Sequence, residues 1–247
     1  MPQVSFLRPG WDSHSTVFLL AALAIALPAA TQTPAPPTSP MPAPPPRYVI
    51  VLDAAHGGDD PGGRLASGQQ EKATTLVLSV RLRSLLSARG IGVITTRESD
   101  ATLDPDRRAA IANHARAAAC LSLHATESGS GVHLYTSSLN PAPVTHFVAW
   151  KTAQAGWITR SLALSGALNS ALQHDSITVT LGRTSLIAID SMTCPAVAIE
   201  IAPERGPDGK VTAEPDDPEY QARIASTLAA AILAWRSDAN RTEARLP

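Results

Sequence analysis

Three side chains of this chain have the types and positions that suit metal chemistry: His56, Glu71 and His124. Two imidazoles and one carboxylate form a catalytic zinc set that leaves a fourth position for water. Zinc held in this way polarises a carbonyl and draws the pKa of water toward neutrality. A fourth residue, Glu200, lies inside the otherwise apolar run Ala196-Val197-Ala198-Ile199-Glu200-Ile201. A carboxylate in such a run is costly unless it is paired or functional. It suits a general base that takes a proton from water and passes it to a leaving nitrogen. It equally suits a partner for a buried arginine. The other three residues have plain alternatives too. A histidine at a strand end also occurs as a surface residue or as a support for a ligand, and a glutamate in a first helical turn also serves the helix dipole.

The elements that must position these residues are legible in the hydrophobic pattern. Tyr48-Val49-Ile50-Val51-Leu52-Asp53 is a continuous apolar, β-branched run and predicts a buried strand. It stops at Ala54-Ala55-His56-Gly57-Gly58, which places His56 on a tight loop at the carboxyl end, the edge where open α/β sheets bind ligands. A polar, Gly-rich loop runs to Gln70. A helix follows from about Lys72 to Arg89, with Leu78, Leu82, Leu85 and Leu86 on one face, so Glu71 stands at its start. Residues 91–96 predict a second strand. Asp104-Pro105 opens a helix to about Ala118, with Asp as N-cap and Pro at the first helical position. Residues 119–124 predict a third strand, again ending in a histidine. Strands are also expected at 132–136, 185–189 and 196–201, and helices near 156–173 and from Asp217-Pro218 through Trp235. Strands alternating with helices predict an α/β fold. It is a single domain with a mixed, mostly parallel central sheet of about six strands and helices on both faces.

The ends of the chain differ from this domain. Residues 1–30 have a basic start, a short apolar core (Val17 to Leu27) and small residues after it, the pattern of a secretory signal peptide. An uncleaved N-terminal anchor is the alternative. Residues 31–46 form a Pro-rich linker that favours polyproline II and can hold the domain near a wall or membrane. The catalytic domain is expected over 47–236, with a polar tail at 237–247. The chain has 247 residues, 44% of them hydrophobic, a net charge of -1 and 4% aromatics. Near-neutral charge and few aromatics argue against nucleic acid as a partner. A monomer is expected. Cys120 and Cys194 are too far apart for a CxxC motif, and buried free thiols are the preferred reading; export would make a disulfide feasible.

Taken together, the motifs resemble the zinc-dependent N-acetylmuramoyl-L-alanine amidases, cell-wall amidases of the AmiC type. The family opens with a strand, an Asp-Pro-Gly-His-Gly-Gly loop and a downstream Glu-Lys; here these are Asp53-Ala54-Ala55-His56-Gly57-Gly58 and Glu71-Lys72. A Thr-Arg follows the second strand (Thr96-Arg97), and an Arg and an Asn share the next helix (Arg108, Asn113). Then come Ser122-Leu123-His124, a Gly-led strand at Gly131, and Pro195 five residues before Glu200. The resemblance implies that His56, Glu71 and His124 bind Zn2+ and that Glu200 is the catalytic acid/base. It implies hydrolysis of the amide between N-acetylmuramic acid and L-alanine in peptidoglycan, in the periplasm or cell envelope. Arg97, Arg108 and Asn113 are expected to be scaffold.

The chain also departs from the family pattern. Ala54-Ala55 replaces Pro-Gly, Thr126 replaces an Asn, and Ile201-Ala202-Pro203-Glu204-Arg205 replaces a Gly-Phe continuation. The segment between Tyr135 and Leu162 is short for a blocking helix, so an uncovered cleft that needs no activator is expected. A peptidoglycan-binding or regulatory module on the same fold is the alternative, and a zinc peptidase or esterase with another substrate is a third reading.

Overall fold

Alternation of buried apolar strands with amphipathic helices builds one three-layer unit. The computed structural model describes residues 48–143 and 148–243, with side chains through Ser237. The expected signal peptide and Pro-rich linker lie outside the described residues. In chain order the principal elements are β1 (Val49–Ala54), α1 (Glu71–Ser87), β2 (Gly92–Thr95), α2 (Pro105–Ala115), β3 (Ala119–Ala125) and β4 (Val132–Ser137). A 3-10 stretch (Trp150–Gly156) leads into α3 (Ile158–His174). Then follow β5 (Val179–Thr184), α4 (Ile187–Asp190), β6 (Ala196–Ile201), a small hairpin of β7 (Glu204–Arg205) and β8 (Val211–Ala213), and α5 (Pro218–Glu243).

Among the described residues the main sheet has six strands in the order β2-β1-β3-β6-β4-β5. All neighbours are parallel except β4 and β6. One face presents Ile50, Leu52, Leu121, Leu123, Leu134, Val197 and Ile199 to α1, α3 and α5, which supply Leu78, Leu82, Leu164, Leu168, Ile224 and Leu228. The other face is built from small residues. Val51, Cys120, Ala196 and Ala198 pack with Ala109 and Ala112 of α2 and Ile189 of α4. Small side chains let short helices approach closely, and they leave the polar row beyond them uncovered. From β1 the chain crosses to β2 on one side and returns to β3 on the other. The carboxyl ends of β1 and β3 therefore flank the topological switch point, where ligands bind in open α/β sheets.

Several expectations need correction. The strand expected at 185–189 is the helical turn α4, and the strand lies earlier, at β5. That edge strand is mostly exposed and holds Gly182 and Arg183, which dilute its pattern. Residues 185–189 are apolar for another reason: Ile189 enters the alanine-lined core while Ile187 is 70% exposed. The free-thiol reading is also overturned. Cys120 and Cys194 form a disulfide, with Cα atoms 6.1 Å apart, because β3 and β6 are neighbours in a way that a 74-residue separation hides. Finally, α5 continues to Glu243 rather than yielding to a tail at 237; no Gly or Pro interrupts 237–243.

Candidate metal centre

His56, Glu71 and His124 converge although they come from three separate elements. One donor atom from each lies within 4.8 Å of the other two. His56 follows β1, where the backbone turns sharply. Its φ is +61°, a left-handed conformation uncommon for a residue with a side chain and frequent at functional sites. The positive φ falls on His56 and not on Ala54 or Ala55, so the Ala-Ala replacement costs nothing in backbone freedom. Arg97 and Arg108 hold this loop from beneath. Arg97 donates to the carbonyls of Ala54 and Ala55 at 2.9 and 3.0 Å. Arg108 donates to Ala54 and His56 carbonyls, each at 2.7 Å. Arg108 also forms a buried ion pair with Asp53 at 2.8 Å, and Asp53 further accepts from Thr96 and Ser122. Asn113 ties α2 to the segment after α4 through the Ser191 carbonyl and Thr193 N–H. These contacts give the expected scaffold roles their physical form.

Glu71 opens α1, with the helix N-terminus favouring its negative charge. It is only 6% exposed, so the dipole alone does not account for it. Its Oε2 lies 3.1 Å from His56 Nε2 and accepts from Gly63 N–H at 2.8 Å. Its Oε1 lies 3.0 Å from His124 Nδ1 and accepts from Ala125 N–H at 3.2 Å. Burial pushes the carboxyl pKa up, but hydrogen bonds from His124, His56 and Gly63 outweigh it and hold the group well below the usual carboxylate range. Gly62, at φ +66°, has to lack a side chain here: a Cβ would stand 2.7 Å from both Glu71 Oε2 and His56 Cδ2.

The donor set fits a metal ion. Each imidazole faces Glu71 with one nitrogen and is supported through the other. His56 Nδ1 lies 2.8 Å from Asp60 Oδ2, and His124 Nε2 lies 3.4 Å from Ser122 Oγ. Metal-ligating histidines characteristically have such an outer partner on the second nitrogen.

Glu200 stands beside this cluster. In the parallel β3–β6 ladder it is the register partner of His124. Its side chain is 29% exposed. The buried-arginine alternative does not hold, because the carboxylate meets His133 Nδ1 at 2.7 Å. Tyr135, next along the same face, has its phenol pKa raised by burial and by the Glu200 charge. A cleft of about 210 Å³ opens along the histidines. Its polar side carries Asp53, Asp60 and Arg108; its apolar side carries Leu103 and Leu186 to Ile189. Asp60 and His133 went unremarked as site residues in the sequence. Asp60 sits at a readable i, i+4 spacing from His56, whereas His133 depends on strand order.

The sheet order, the switch-point position and the His-Glu-His cluster define an α/β domain with a triad that could hold a metal ion. The sequence profile of the Amidase_3 family, N-acetylmuramoyl-L-alanine amidase, matches residues 50–234, and the chain belongs to that family. Among curated proteins it is similar to N-acetylmuramoyl-L-alanine amidase AmiC of Neisseria meningitidis, at 35% identity over 94 residues, covering 36% of this chain and 23% of that protein. It is 29% identical over 148 residues to N-acetylmuramoyl-L-alanine amidase Rv3717 of Mycobacterium tuberculosis, covering 57% of this chain and 59% of that one. The matches thus span under two thirds of these relatives. Among solved structures, the amidase Ami1 of Mycobacterium smegmatis superposes with a TM-score of 0.61 at 21% identity, covering 77% of this chain and 97% of that one. The CwlV catalytic domain from Bacillus (Paenibacillus) polymyxa gives a TM-score of 0.58 at 22% identity, covering 77% and 98%. These likenesses establish the fold.

Proposed function

We propose that this chain is an exported, zinc-dependent N-acetylmuramoyl-L-alanine amidase that cleaves the amide between N-acetylmuramic acid and L-alanine in peptidoglycan. The observation that carries the reading is the convergence of His56, Glu71 and His124 with Glu200 as the next residue across the sheet. His56, Glu71 and His124 would hold the zinc ion. When bound, zinc supplies a Lewis acid that polarises a carbonyl oxygen and acidifies water. Glu71 contributes the one anionic ligand, and Asp60 and Ser122 orient the two imidazoles. Glu200 takes a proton from the attacking water and delivers it to the amide nitrogen as the carbon–nitrogen bond breaks. The apolar wall at Leu186 to Ile189 limits water beside the reacting amide. Export agrees with the disulfide, since such bonds persist in oxidising compartments, and with the leader-like pattern of residues 1–30. Among the described residues no helix is long and apolar enough to cross a membrane.

The test uses the zinc-loaded protein on purified peptidoglycan, following new L-alanine amino groups with no added activator. Release by the wild type, lost in Glu200→Gln and after chelation, is the expected result. A folded, zinc-containing wild type that binds peptidoglycan without releasing amino groups would overturn the reading in favour of a binding module.

A further inference from the structure

Glu200 carries the proton in the reading above, and a proton shuttle works only if its carboxylate is aimed. Its aim is set by β4. In the antiparallel β4–β6 ladder His133 is the register partner of Glu200, while on the other side β3 places His124 against the same residue. His124, Glu200 and His133 therefore form one row across three strands. His133 is only 9% exposed, and its Nδ1 lies 2.7 Å from Glu200 Oε2.

The surroundings leave the imidazole little freedom. Gly129, at φ +86°, lies against its far edge, and a Cβ there would stand 2.6 Å from His133 Nε2. Tyr135 packs edge-on, its ring centroid 6.2 Å from that of the imidazole. Tyr135 is itself seated over Gly182 of β5, where a Cβ would come within 2.7 Å of the phenol ring. Gly129 thus makes room for the imidazole that holds Glu200, and Gly182 makes room for the phenol ring packed against it.

We infer that His133 is a positioning residue: its Nδ1–H donates to Glu200 Oε2 and leaves Oε1 as the oxygen that exchanges the proton. The inference rests on the acid/base role given to Glu200 above. Among the described residues His133 hydrogen-bonds through its ring to Glu200 and not to His56, Glu71 or His124. A substitution that removes the Nδ1 donor leaves metal binding and substrate affinity in place and slows the proton-transfer step.

The experiment compares kcat and KM on a soluble N-acetylmuramoyl-peptide for wild type, His133→Phe, His133→Asn, His133→Gln and Glu200→Gln, with zinc content and melting temperature recorded for each. Asn places its amide nitrogen where imidazole has Nδ1; Gln places it where imidazole has Nε2. The expected result is that His133→Phe and His133→Gln lower kcat by roughly 10- to 100-fold, with KM within about threefold and zinc content unchanged. His133→Asn recovers kcat to within about threefold of wild type. A purely packing role would leave Asn and Gln alike and would move melting temperature and KM instead. His133→Phe at wild-type kcat, or Asn no better than Gln at equal melting temperature, overturns the inference while an inactive Glu200→Gln leaves the amidase reading standing. If His133→Phe does not fold, the Asn and Gln pair decides alone. An inactive wild type overturns the amidase reading, a fully active Glu200→Gln overturns the acid/base role of Glu200, and either overturns this inference.

Discussion

Replacing both Cys120 and Cys194 by alanine removes the covalent link between the start of β3 and the segment that follows α4. The residues are 74 apart in sequence, so the link closes a loop of that length in the unfolded chain. On the chain-entropy model a loop of this size contributes about 4 kcal/mol. For a domain of this size each kcal/mol moves the melting temperature by about 2–4 °C, so the double variant should melt roughly 10 °C lower. Both cysteines are about 1% exposed, and alanine leaves little void. Function should suffer less than stability. The segment carrying the apolar cleft wall keeps its other anchors: Gln154 Nε2 donates to the carbonyls of Met192 and Cys194 at 2.9 and 3.1 Å, and Asn113 accepts from Thr193 N–H at 2.7 Å. Amidase activity at 25 °C should stay within about threefold. The assay is thermal denaturation followed by far-ultraviolet circular dichroism, with thiol titration of the denatured wild type. A shift below about 3 °C, or two titratable thiols in wild type purified without reductant, would refute the reasoning.

Removing the charge partner of Asp53 by Arg108→Met leaves a buried carboxylate 2% exposed and strips the His56 carbonyl of its donor, while the Ala54 carbonyl keeps Arg97; urea denaturation should show a loss of about 3–5 kcal/mol, and a loss under about 1 kcal/mol would contradict the scaffold role. Gly62→Ala puts a methyl group against Glu71 and His56, so calorimetric titration should show zinc affinity reduced at least about tenfold, with wild-type affinity the contrary result. Zinc affinity should also fall with pH. The Glu71 hydrogen bond raises the His56 pKa above its ordinary value of 6.5, against burial, and Asp60 adds to the rise. A raised pKa keeps the proton on the imidazole to higher pH, and a metal ligand must shed it. Binding is therefore strongest above that raised pKa and weakens as pH drops through it. Affinity unchanged between about pH 8 and pH 5 would contradict a histidine-ligated site.

The parts of this molecule that local patterns encode were legible in its sequence. The apolar runs of β1 and β3, each followed or closed by a histidine, announce buried parallel strands with candidate ligands at their carboxyl ends. Asp104-Pro105 announces α2, and Asp104 does accept from Arg107 N–H. Glu71 could be placed at a helix start, though only its burial separates a site residue from a dipole partner. What stayed hidden depends on which strands become neighbours. The Cys120–Cys194 bond and the His133–Glu200 pair both follow from β6 lying between β3 and β4, an order that no local periodicity states. β5 is missed and α4 reads as a strand because an exposed edge strand loses its apolar alternation while a four-residue helical turn packed on alanines gains an apolar run.

The central claim is tested most directly by identifying the products of cleavage. Metal-free protein is given one equivalent of zinc and incubated with purified peptidoglycan, and the soluble products are analysed by mass spectrometry. The account predicts free stem peptides beginning at L-alanine and glycan strands that retain intact muramic acid lactyl groups, neither appearing before zinc is added or with Glu200→Gln. Products cut within the stem peptide or the glycan, or the same products from metal-free protein, would contradict it.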